Sequence, residues 1–130
     1  MPRYFIAVFG QPEPGKKAVE SGIYTPDPRY APFPAQLGDV MLLYCTGSYA
    51  SYPMQVPGIG IVLRVDREHV EYRWLPLTEP LSKNHVDKNL DSDDAGKMRL
   101  IHLAPYWLFE ISQQSFSKIL GSRPIAWGKL

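Results

Sequence analysis

The sequence predicts an α+β fold, a small, twisted, mixed β-barrel of short strands with short helices across its open ends. Three observations predict it. Thirteen prolines and ten glycines interrupt 130 residues that are otherwise rich in aromatic and β-branched side chains, a composition of short strands and many turns. Apolar runs recur with strand periodicity. Two later segments open on serine and carry apolar residues at helical spacing.

The run "YFIAVFG" (4–10) alternates Tyr4, Ile6 and Val8 with Phe5, Ala7 and Phe9. Both sets are apolar, so the strand is covered on both faces. Residues 14–22, "PGKKAVESG", have room for one or two helical turns, with Gly22 as a stop. The segment 24–36, "YTPDPRYAPFPAQ", holds four prolines, whose fixed φ and missing N–H exclude a helix interior or a central strand. It reads as a long ordered loop.

"DVMLLY" (39–44) is a continuous apolar strand, and "GIGIVLRV" (58–65) is its expected neighbour. The turn "DREH" leads into "VEYRWLP", where Val70, Tyr72 and Trp74 alternate with Glu71 and Arg73 as in a hairpin with one wet face. Residues 78–90 then suggest a short helix with Ser82 as a cap, followed by "DSDDAGK" as a polar loop. "YWLFEI" (106–111) returns as a strand with Trp107 in the core. Ser112 opens a final helix ending at Gly121, and the tail "RPIAW" is a candidate last strand.

One domain, 1–130, accounts for the length, and a chain of this size buries about two-thirds of its unfolded surface. Cys45 is the only cysteine, which excludes an internal disulfide and any multi-cysteine metal site. Fourteen basic against thirteen acidic residues give +1, far from a protein that binds duplex mainly by neutralising phosphates. No run reaches membrane-spanning length, and "MPRYFIAVFG" is too short and aromatic for a secretory signal, so a soluble, cytoplasmic protein is expected.

Most chemical motifs fail when tested. Asp91, Asp93 and Gly96 match the start of a calcium loop, but Ala95 and His102 stand at two places that need ligand oxygens. "PGKK" lacks the second glycine and the hydroxyl of a phosphate loop. Ser115 and Lys118 form a Ser-x-x-Lys pair without its companions and read as surface. Cys45 with His69, His85 or His102 as base has no supporting local signature, and a buried cysteine at a strand end is the simpler reading. No cofactor is called for.

The parts "YFIAVFGQP", "GD" entering an apolar strand that ends "YCTG", "PGIGIVLRVD", "EYRWLPL" and "YWLFEISQQSFSKIL" together resemble the EVE family of the PUA-like superfamily, relatives of YTH and ASCH domains. The resemblance covers nearly the whole chain. It implies a small barrel with helices over its openings and a pocket for one flipped, often modified, base of DNA or RNA, used for recognition and not catalysis. By position it assigns Phe9, Gln11, Tyr44, Cys45 and Thr46 to the pocket. Tyr49, Tyr52 and Trp74 join them as stacking surfaces, each worth roughly 1–3 kcal/mol. Arg64, Arg73 and Arg29 are candidates for phosphate. Where many EVE proteins carry a helix with a tryptophan and an Arg-Asn pair, this chain has its proline-rich loop, in which Arg29 and Tyr30 are the candidate substitutes. Two other readings are a protein-interaction module using residues 24–36 and exposed tyrosines, and an ASCH-type nuclease.

Overall fold

The computed structural model describes residues 2–10, 18–49, 51–101 and 107–121. Gln11, the "PGKK" segment, His102 and the "RPIAW" tail lie outside the described residues. Six strands form one mixed sheet: β1 (Tyr4–Phe9), β2 (Ile23–Tyr24), β3 (Val40–Cys45), β4 (Gln55–Val65), β5 (Val70–Ser82) and β6 (Leu108–Ile111). The order across the sheet is β2-β5-β4-β3-β1-β6. β1 runs parallel to β3, and every other pair is antiparallel. The sheet curls into a half-barrel, so the fold is α+β as expected.

Apolar side chains on both faces of β1 and β3 build two cores. Ile6, Val8, Leu42 and Tyr44 point to one side, where helices α1 (Lys83–Asn89), α2 (Ser92–Met98) and α3 (Gln113–Leu120) add Val86, Met98, Phe116 and Ile119. Phe5, Ala7, Phe9, Met41, Leu43 and Cys45 point to the other, where the segment 18–36 adds Val19, Tyr24, Phe33 and Ala35. The proline-rich loop is therefore a packed cover, not a free arm. Within it, Asp27 caps a 3-10 turn at Pro28–Tyr30 by accepting from the Arg29 N–H.

The "GD" pair is spent on this architecture. Gly38 takes φ +90° in a tight turn, a conformation glycine adopts without a Cβ penalty. Asp39, 5% exposed, accepts from the N–H groups of Arg3 (2.9 Å) and Gln36 (2.8 Å), tying the turn to the start of β1. The anticipated neighbours β3 and β4 pair, the hairpin turn closes through Asp66 N–H to His69 C=O at 3.0 Å, and Ser82 and Ser112 cap their helices.

Three expectations need correction. β5 continues beyond the expected strand end at Pro76 through Pro80 to Ser82, while helix α1 starts at Lys83, directly after the expected cap. Prolines are tolerated there because β2 pairs only with Val70 and Glu71, leaving the rest of that edge without a strand partner among the described residues. "DSDDAGK" is helix α2 and not a loop: Asp91 caps it by accepting from the Asp94 N–H. Ser115 is buried, not on the surface. Its hydroxyl donates to Asp94 at 2.8 Å, while Asp94 also accepts from the Ser112 N–H at 2.9 Å. Of the two carboxylates read as half a calcium loop, Asp91 accepts from the Ser112 hydroxyl at 2.7 Å and so joins Asp94 in fastening α2 to the start of α3. No described helix is long and apolar enough to cross a membrane.

Candidate functional site

The stretch from Thr46 to Met54 leaves the end of β3 and returns to β4. Its backbone is pinned: the Thr46 N–H donates to Phe9 C=O at 3.0 Å, and the Thr46 carbonyl accepts from Tyr49 (3.0 Å) and Met54 (3.3 Å). The Met54 carbonyl accepts from the Lys83 N–H at 2.9 Å, joining the loop to the start of α1. Met54 itself has φ +55°, which for a bulky residue is strained backbone.

Between this loop, α1 and the end of α2 lies a cleft of about 520 Å³, within the range of small-ligand sites. Met54, Met98 and Ile101 give it apolar walls. Among the described residues its polar lining consists of the hydroxyls of Tyr44, Thr46 and Ser48, the Lys83 ammonium and the Arg99 guanidinium, with no carboxylate. Lys83 is held by Asp87 at 2.5 Å. Arg99 is exposed and makes no ion pair with a described residue.

Tyr44 is the distinctive group. Its side chain is 2% exposed, yet its hydroxyl makes no hydrogen bond to a described residue. Burial first, then the nearby Asp87 carboxylate and Cys45, push its phenol up to about 12, so it stays a protonated donor. No buried side-chain polar atom among the described residues lacks a partner, so the Tyr44 hydroxyl is the solvent-reachable tip of an otherwise buried ring: it meets water in the cleft and can exchange that water for a ligand acceptor.

Of the described residues expected to form a pocket, the structure brings only Tyr44 and Thr46 to this cleft. Phe9, Cys45 and Tyr49 turn to the opposite, loop-covered core, where Phe9 packs on Tyr24 with ring centroids 4.8 Å apart. Tyr52 stacks on Tyr49 at 6.3 Å, and Trp74 lies over Gly58, where a Cβ would meet its ring at 2.7 Å. Burial pushes the Cys45 thiol up to about 12, the reverse of what a nucleophile needs. Arg64 pairs with Asp66 (3.3 Å) and Glu71 (3.6 Å), and Arg29 pairs with Asp27 at 3.0 Å beside the Tyr30 ring. Arg73 stands exposed on β5, opposite Ile61. None of the three arginines lines the cleft.

Sequence reasoning missed Met54, Lys83, Met98, Arg99 and Ile101. The signal present was the apolar pair Met98 and Ile101, three residues apart just after a capped acidic segment. In comparisons with known proteins, no protein-family model matches the sequence and no curated protein matches it.

Proposed function

We propose that this chain is a non-catalytic nucleic-acid-binding module of the PUA-like, EVE type, whose cleft receives one extruded and modified base of DNA or RNA. The hydroxyl of Tyr44, open to the cleft at the tip of a buried ring and bonded to no described residue, is the observation that carries this reading. A base lifted from its stack needs apolar surface against its faces and a few hydrogen-bonding groups at its edge. Met54, Met98 and Ile101 offer the first, Tyr44 and Thr46 the second. With a formal charge of only +1, the affinity comes mainly from this pocket, so it depends weakly on salt.

Fluorescence anisotropy with single- and double-stranded DNA and RNA oligonucleotides, each with and without a modified base, tests the reading. A preference for one modified oligonucleotide, lowered about tenfold by Tyr44→Phe, is the expected result. Equal or absent binding of all probes at low salt removes it.

A further inference from the structure

We infer that the mouth of the same cleft is a phosphate seat formed by Arg99 with Lys83, so that the ligand unit is a nucleotide and not a bare base. The inference rests on the base-site reading for the ligand's other half. If Tyr44 and Thr46 serve a base edge, Lys83, Arg99 and Ser48 remain in the lining without a ligand group to meet. Lysine and arginine only donate, and no described carboxylate lines the cleft to answer a cationic or donor-rich ligand.

The charges are also unequal. Asp87 already offsets Lys83 at 2.5 Å, whereas Arg99 has no ion-pair partner among the described residues. The mouth is therefore left with one uncompensated cation whose planar fork suits phosphate oxygens. The backbone of Arg99 is fixed as the cap of α2, its N–H bonded back to the Ala95 and Lys97 carbonyls, so the guanidinium starts from a rigid anchor. It follows directly on Met98, a wall of the cleft. Ring and phosphate would thus be held by adjacent residues of one helix end.

The test uses the whole chain with ¹³C-methyl-labelled methionine. Met54 and Met98 report on the cleft, and Met41, buried in the opposite core, serves as the internal control. The probes are the four nucleosides, their 5′-monophosphates, a dinucleoside phosphate and inorganic phosphate. The expected result is that at least one monophosphate shifts Met54 and Met98, but not Met41, at about a tenth of the concentration its nucleoside needs. Arg99→Gln should erase that difference and Arg99→Lys restore part of it. A dinucleoside phosphate as effective as the monophosphate places the seat on a strand's backbone, and one about tenfold weaker places it on a free or terminal phosphate; both support the seat. Nucleoside and monophosphate acting alike overturn the seat and leave the base reading standing. Phosphate shifting the cleft methyls with no gain from any base supports the seat and overturns the base reading. Silence from every probe overturns both.

Discussion

Adjacent residues of β3, Tyr44 and Cys45, face opposite sides of one sheet, and the two sides treat tyrosine differently. On the loop-covered side every buried phenol is spent on the backbone. Tyr24 donates to Val8 C=O at 2.9 Å, Tyr72 donates to Val19 C=O at 2.5 Å, and the Tyr49 hydroxyl accepts from the Val19 N–H at 3.0 Å. On the helix-covered side Tyr44 is as deeply buried, yet its hydroxyl has no described partner and its ring borders a cleft. Aromatic content therefore does not locate a binding site in this molecule. The fate of each hydroxyl does.

The largest effect that would break this contrast comes from Phe9. If the loop side is a closed core, Phe9→Ala removes a ring packed on Tyr24 and Tyr72 and costs about 3–5 kcal/mol in urea unfolding. A loss below about 1 kcal/mol would mean that the face is open and that Phe9 belongs to a pocket.

Alkali probes both sides together. Cys45, Tyr44, Tyr49 and Tyr72 all have their ionisation pushed up, chiefly by burial, so the folded protein holds their protons to higher pH than the unfolded chain. Their contribution is full below the unfolded values and is lost as pH rises from about 9 for the thiol and about 10 for the phenols. The urea midpoint should be flat between about pH 7 and 8 and fall steadily above 9. Cys45→Ala should remove the earliest part of that fall.

Tyr49→Phe leaves the Val19 N–H without its acceptor in a buried setting and should cost about 1–3 kcal/mol. Met54→Gly acts in the opposite direction. It relieves a left-handed conformation worth roughly 1–2 kcal/mol and gives back part of that as glycine entropy, for a net gain of about 0.5 kcal/mol. It should nonetheless weaken ligand binding, because the thioether wall is gone. If the variant is instead less stable, Met54 is held for its packing over Gly47, where a Cβ would lie 3.5 Å from its Cγ.

The division of the sheet into two faces was partly legible in the sequence. Alternation located β1, β3, β4 and the first half of β5, because each side chain's direction follows from its place on a strand. Ser82 and Ser112 announced their helices through local capping chemistry. Helix α2 was hidden because what secures it is distant in sequence: Asp94 is held by Ser112 and Ser115, 18 and 21 residues on. With α2 unread, Met98, Arg99 and Ile101 had no place beside Tyr44, and only Tyr44 and Thr46 of the cleft were visible. The aromatic residues around 44–52 looked like one cluster because periodicity does not say which face a loop residue will join.

The smallest expected change in stability carries the most information. Tyr44→Phe and Tyr49→Phe remove the same oxygen from two buried rings belonging to one loop and strand end. At Tyr49 the oxygen answers a backbone donor, so its loss exposes a cost; at Tyr44 it answers nothing in the fold, so Phe should leave the urea midpoint within about 0.5 kcal/mol or raise it. Binding should show the reverse pattern, with Tyr44→Phe about tenfold weaker for the preferred oligonucleotide and Tyr49→Phe, once folded, unchanged. A Tyr44→Phe protein that loses stability as Tyr49→Phe does would show that this hydroxyl supports the fold. The two faces would then differ only in what covers them, and the cleft would have no group reserved for a ligand.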